Sequence, residues 1–441
     1  MKDVVFYHCS DLHLGKTYAD SPGADERSED FFRVFAEIVQ RAVREEIAAL
    51  VIAGDLFHHA QVMPRTFART VEVLEPLKRA GIPVIAVEGN HDWIHRRENI
   101  SWMEALSAMG LICLLRPTRD DEGNYFFPPW DDEKRSGGHR EVQGIHFYGV
   151  GYIGSSPGPH VPRIVEAVRR AGTDENVLLF HVGVRQYCGT DIGNMSLEEA
   201  LPLGEVFRYV ALGHGHKPYV IPAATPFAYN PGSPECVNFG EERYGPKGFN
   251  RVVWRHGKSP EVELIPTSPR PMINETISLT GCQNVEDAER RIREHLQSLD
   301  REQQDPRQPV VRVKLTGRVE FRPAELSRSR VIEAVRAVLA PLHVEVENAL
   351  SFLSRSVAGL LEREQRSLSD LERDVVESLF AAQSAYQSDS RRYAKLALDL
   401  KRQLLEEKRE EAPDLSELLD LLHRALHERD EPEISSMTAL T

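Results

Sequence analysis

This sequence predicts an α/β fold, and three observations predict it. Short apolar runs rich in β-branched and aromatic residues recur through residues 1–265. Longer segments with helical spacing of apolar residues stand between the first of them. The short runs end in polar or glycine-containing loops. Strand and helix in alternation imply a sheet with helices laid on its faces.

The strand-like runs are VVFYH (4–8), ALVIA (49–53), VIAVE (84–88), HFYGV (146–150), VLLFH (177–181) and YVALG (209–213). Continuous apolarity marks strands buried on both faces. FFRVFAEIVQRAVREE (31–46) and FARTVEVLEPLKRAG (67–81) repeat apolar residues at helical steps and predict two amphipathic helices. Gly81 and then Pro83 stop the second helix.

Proline-rich ELIPTSPRP (263–271) breaks this pattern and places a domain boundary after residue 265. A strand (273–281), a helix (285–299), a strand (310–319), a helix (329–342) and a short strand (343–348) follow, predicting a small α+β domain at 266–350. Residues 351–441 read as helical, with Leu and Val at heptad-like steps. Pro413 interrupts them, and 414–431 predicts a further amphipathic helix with Leu415, Leu418, Leu419 and Leu422 on one stripe. Such an arm either packs on its own chain or docks another helical protein.

Composition narrows the class. Of 441 residues, 41% are hydrophobic and 28% charged, which excludes global disorder and fibrous architectures. No run approaches the ~18 apolar residues of a membrane span. Charge and histidine within the first ten residues argue against a secretory signal. Five scattered cysteines without a CxxC pair argue against a disulfide framework and a thiolate zinc site, and suit the cytoplasm. The net charge of −14 argues, taken alone, against a nucleic-acid partner. It divides as −8 over 1–265, zero over 266–350 and −6 over 351–441, while 13 of 17 histidines lie in the first segment.

Chemistry gathers at the strand ends. Asp11-Leu12-His13 follows the first run, Gly54-Asp55-Leu56-Phe57-His58 the second and Gly89-Asn90-His91-Asp92 the third. His181 ends VLLF, and Gly213-His214-Gly215-His216 follows YVAL. In an open α/β sheet, the loops beyond the carboxyl ends of the strands form the ligand crevice. A D-x-H or H-x-H step in extended chain would put both side chains on one side. Two carboxylates, an amide and several imidazoles suit Mn²⁺, Fe²⁺ or Zn²⁺ and disfavour a Ca²⁺ site. Each motif alone has an ordinary explanation as a loop, a cap or a core histidine. Five together, in order and each at a strand end, argue against chance.

The set resembles the calcineurin-like metallophosphoesterases, whose order is D-x-H, G-D-x-x, G-N-H-[DE], a lone His and G-H-x-H. Within that superfamily it is most similar to the DNA-repair nucleases of the SbcD type and their YhaO-type relatives. GDLFH carries His58 where those nucleases place an additional histidine, and NPGSPE (230–235) also follows their pattern. Residues 116–145 match nothing in it. The resemblance implies a four-layer αββα sandwich, a capping domain at 266–350 and an ATPase-docking arm at 351–441. It implies one ion on Asp11, His13, Asp55 and His216, and a second on Asp55, Asn90, His181 and His214.

It further implies two-metal phosphodiester hydrolysis with Mn²⁺ expected first, and Fe²⁺ or Zn²⁺ as alternatives. His91 protonates the leaving oxygen or stabilises charge at phosphorus, and His58 positions the scissile group. The expected partners are DNA, an SbcC-like coiled-coil ABC ATPase and a second copy of the chain. The alternatives are a small-molecule phosphodiesterase or phosphatase, and a catalytically inactive scaffold subunit. Two divalent ions would outweigh two ligand carboxylates, so the acid excess does not exclude nucleic acid. It predicts weak DNA affinity for the isolated subunit, although Arg312, Lys314, Arg318, Arg322, Arg328 and Arg330 cluster in the cap.

Overall fold

The apolar runs become the centre of two six-stranded sheets. A computed structural model describes residues 3–18, 23–93, 100–188, 193–299, 306–352, 368–381 and 389–406. In chain order the first elements are β1 (Val4–Cys9), α1 (Ala24–Arg44), β2 (Ala49–Ala53), α2 (Pro64–Arg79), β3 (Val84–Val87), α3 (Trp102–Ala108) and β4 (Cys113–Leu114). There follow β5 (His139–Val142), β6 (Ile145–Val150), α4 (Val161–Ala171), β7 (Asn176–Phe180), β8 (Tyr209–Leu212), β9 (Tyr219–Ile221) and β10 (Ala228–Asn230). Finally β11 (Gly248–Trp254) and β12 (Glu261–Pro266) return to the first sheet.

The first sheet has the order β12-β11-β1-β2-β3-β4, and the second β9-β10-β8-β7-β6-β5. β1 to β4 run parallel, as do β6, β7, β8 and β10. Strand alternation divides the core between layers. On β1, Tyr7 and Cys9 pack with Phe31, Phe35 and Leu74 of the helices, whereas Val4 and Phe6 pack with Phe147, Val177 and Tyr209 of the second sheet. Phe6 meets the rings of Phe147 and Tyr209 edge-on at 5.4 and 5.5 Å. On the far side α4 buries Ile164, Val165 and Val168 against Leu178, Phe180 and Val210. The result is helix, sheet, sheet, helix.

α1 begins seven residues before the predicted start, at Ala24 rather than Phe31. The extra turns contain Arg27 and Asp30, which are 1% and 3% exposed. Charged residues at buried positions hide the apolar period that marks a helix. Arg27 pairs with Asp30 at 3.1 Å and with Glu235 at 3.2 Å, and Arg270 donates to Asp30 Oδ1 at 3.0 Å. This buried network ties α1 to the chain leading into the third sheet.

That sheet comprises β13 (Met272–Ser278), β14 (Val310–Val319) and β15 (His343–Phe352) in that order, with α5 (Val285–Ser298) and α6 (Arg328–Leu339) in the connections. β13 and β14 are parallel, and Ile277, Ile292, Val313, Val331 and Val335 fill their core. His343 stacks on Tyr18 at 4.5 Å. Three of the six basic residues of the run seen in the sequence are paired here. Arg312 and Lys314 bind Glu347 at 2.8 and 2.6 Å, and Arg330 binds Glu286 and Glu289.

Residues 352–441 form a second compact unit. Its α7 (Leu368–Ala381) and α8 (Ser390–Glu406) pair with each other, with Phe380 5.7 Å from Tyr393. The predicted helix at 414–431 and its leucine stripe lie outside the described residues. Among the described residues, no helix is long and apolar enough to cross a membrane.

Candidate metal centre

The five motifs meet at the carboxyl ends of β1, β2, β3, β7 and β8, with Asp11, His13, Asp55 and His181 at most 2% exposed. Backbone conformation, rather than extended alternation, brings them together. β1 ends at Cys9, and Asp11 and His13 take φ of 54° and 45°. Asp55 and His214 take 52° and 74°. The extended D-x-H and H-x-H steps expected from the sequence are therefore replaced by left-handed turns. Non-glycine residues adopt that region at a cost, and such residues gather at functional sites. Neighbouring amides hold the turns: Asp11 N donates to Gly54 O at 3.1 Å, and His13 N to Asp55 O at 3.0 Å.

Two glycines set how closely the loops approach. Gly54 has φ +89°, and a Cβ there would lie 2.2 Å from His181 Nδ1. At Gly89 a Cβ would lie 2.0 Å from Asp55 Oδ1. Any side chain at either position displaces a site residue.

All nine expected residues lie in one cluster. His13 Nε2 is 3.0 Å from His216 Nε2 and 3.8 Å from Asp55 Oδ2. The ligand atoms of Asp11, His13 and His216 fall within 4.8 Å of one another, as do those of Asp11, Asp55 and His181. Asn90 Oδ1 lies 3.1 Å from His181 Nε2 and 2.9 Å from His214 Nδ1. Asp55 is thus beside both groups. His58 Nδ1 is 3.2 Å from His13 Nδ1, and the His58 ring stacks on His91 at 5.3 Å.

The donor set fits divalent cations. His181 Nδ1 donates to the Ala53 carbonyl at 2.8 Å, so in the neutral ring Nε2 is an acceptor. It faces Asn90 Oδ1 and, at 3.5 Å, Asp55 Oδ2. Asp11 Oδ2 is buried without a hydrogen-bond partner. Acceptors converging on one buried point, with a carboxylate oxygen left over, are what a cation satisfies.

Electrostatics follow the same logic. Burial, then the charge of His216 and the other imidazoles, holds His13 well below its ordinary value. Burial and Lys16 lower His58 to about 3. Both are therefore neutral, ligand-competent imidazoles. Burial opposes charge on His216 too, but the hydrogen bond to Glu241 and the charge of Asp11 outweigh it, and its pKa is raised.

Three neighbours of the cluster escaped the sequence reading. Glu241 Oε1 accepts from His216 Nδ1 at 2.7 Å, is itself bound by Lys247 at 2.8 Å, and titrates at about 2 despite its burial. Asp92, quoted within its motif but given no role, accepts from the amides of Leu56, Phe57 and Gly89 at 3.1, 2.8 and 2.9 Å, locking the second motif to the third. Tyr152 lies 6.0 Å from the His214 ring and 6.4 Å from His181. Nothing local in the sequence marks Glu241 or Tyr152, whereas the Asp after G-N-H is a signal within the motif.

Fold and site together define a metallophosphoesterase domain, and residues 4–218 match the family model of the calcineurin-like phosphoesterases. Residues 274–349 match that of the middle domain of the metallophosphoesterase YhaO. The chain therefore carries a calcineurin-like metallophosphoesterase domain followed by a YhaO-type middle domain. Among curated relatives is the DNA double-strand break repair protein Mre11 of Saccharolobus solfataricus, 28% identical over 221 residues, which is 48% of this chain and 49% of that protein. The chain thus spans about half the length of that relative. Proteins of the same name from Sulfolobus acidocaldarius and Aeropyrum pernix are 24% and 27% identical, covering 84% and 75% of this chain and 90% and 76% of their own.

Proposed function

We propose that this protein is a two-metal phosphodiesterase acting as a DNA nuclease in double-strand-break repair. One observation carries the reading: Asp55 stands between two groups of N and O donors where the carboxyl ends of the two sheets' strands meet. Asp11, His13, Asp55 and His216 would hold one ion, and Asp55, Asn90, His181 and His214 the other. Bound there, divalent ions supply Lewis acidity and a water nucleophile at neutral pH. Mn²⁺ is the ion proposed.

The chain's own groups handle the leaving oxygen. His91 Nδ1 donates to the His58 carbonyl at 2.7 Å, so Nε2 is the nitrogen that gains and loses a proton, and it carries one when the ring is the imidazolium. From the imidazolium, Nε2 gives its proton to the departing sugar oxygen, otherwise a poor leaving group, and the ring is left neutral with Nδ1–H still on the His58 carbonyl. The His91 amide donates to Asp55 Oδ1 at 2.9 Å, so the acid and the shared ligand hold each other in register. His58, stacked on His91, positions the scissile group.

The organisation proposed is a catalytic domain at 1–265, a cap at 266–350 and a helical arm at 351–441. The arm docks a coiled-coil ABC ATPase, and the chain acts as a homodimer in the cytoplasm. Relatives named for break repair support the DNA substrate. A small-molecule diesterase is the second reading, favoured by the pairing of Arg312, Lys314 and Arg330, which leaves less of a basic track. A Mn²⁺-dependent assay on single- and double-stranded DNA, beside cyclic nucleotides and with Asp55→Ala as control, separates them. Turnover of cyclic nucleotides alone overturns the nuclease reading.

A further inference from the structure

Trp93 immediately follows His91 and Asp92, yet its side chain is 54% exposed. A lone exposed aromatic is ordinary on a protein surface, and what distinguishes Trp93 is its place beside the site. Its ring meets Tyr152 edge-on at 5.8 Å, and Tyr152 lies against His214 and His181. Ring contacts therefore leave the metal ligands in two directions. His13 leads to His58 and His91 at 5.2 and 4.8 Å. His181 and His214 lead through Tyr152 to Trp93 and then to solvent.

We propose that Trp93, backed by Tyr152, is a stacking shelf for a nucleobase adjoining the scissile phosphate. The proposal rests on the nuclease reading and deepens it, naming a substrate whose bases are unpaired at the site. A diester entering among the ligands carries a substituent on each side of phosphorus. The imidazole side offers His91 to the leaving oxygen, and the other side offers a flat π-face beside the exit. Stacking suits this chain, because every base has a π-face and the contact adds to whatever charge the site provides. It adds affinity to a chain of net charge −14 in which Arg312, Lys314 and Arg330 of the cap are already paired with carboxylates. Within a duplex the base would be stacked already, so a frayed end or single strand is the substrate this shelf selects.

The test uses the full chain with Mn²⁺ and two single-stranded oligonucleotides, one complete and one with abasic residues at both ends. Wild-type protein should prefer the complete strand by roughly five- to a hundredfold in kcat/KM, the range one base–aromatic stack provides. Trp93→Ala should bring that ratio near one, and Trp93→Phe should restore most of it. In chelator, the wild-type minus Trp93→Ala emission difference should be quenched on titration with oligothymidylate. A wild-type ratio near one, or a full ratio retained in Trp93→Ala, overturns the shelf while leaving the nuclease reading intact. Cleavage of neither strand overturns the nuclease reading and the shelf with it.

Discussion

Glu241 Oε1 lies 2.7 Å from His216 Nδ1, which turns the other ring nitrogen of His216 toward His13 and Asp11. A carboxylate that accepts from a ligand histidine sets its tautomer and raises its basicity. Glu241→Ala should therefore weaken metal binding by roughly ten- to a hundredfold, read by calorimetric titration with Mn²⁺. Unchanged affinity would remove Glu241 from the site.

Asp55→Ala should empty both ion positions, because Asp55 lies beside both donor groups. Elemental analysis after dialysis decides it, and two retained ions would refute the bridging role. Asp55→Asn should also stabilise the metal-free chain, since Asp11 then loses a buried carboxylate neighbour and charges left unpaired in a low-dielectric site are costly. A gain on the order of 1 kcal/mol is expected, together with loss of the rise in Tm that Mn²⁺ gives the wild type.

His91→Ala should retain both ions yet lower kcat by roughly a hundred- to ten-thousandfold, the usual worth of a positioned general acid. Loss of metal instead would make His91 a ligand.

His58→Ser should reduce DNA cleavage more than hydrolysis of a small chromogenic diester, because its proposed task is to orient the polymer. Equal loss on both substrates argues for a shared role in the centre.

Arg270 and Asp30 are each 3% exposed and hydrogen-bonded. Arg270→Ala leaves Asp30 and Glu235 to share Arg27 and Arg33, so it should cost roughly 2–4 kcal/mol in urea unfolding, toward the lower end of what breaking a buried pair costs. A loss below about 1 kcal/mol would mean that Arg27 and Arg33 compensate both acids.

Much of this protein was legible in the sequence because the signals are local. Buried strands announce themselves as apolar runs, and the residues just past their carboxyl ends gather at one end of the layered sheets whatever the loop details. Asp11, His13, Asp55, Asn90, His181, His214 and His216 could thus be grouped before any coordinates. What the tertiary structure decided involves pairs far apart in the chain or conformations without a residue-type signature. Left-handed φ at Asp11, His13, Asp55 and His214 is imposed by neighbouring loops, and extended geometry was the wrong expectation there. Arg27 and Asp30 look like surface residues until Glu235 and Arg270 arrive from more than 200 positions away. Arg312 and Lys314 of the cap look like part of a basic track until β15 lays Glu345 and Glu347 beside them. Periodicity reports which face of an element is buried, and only packing reports which charge finds which partner.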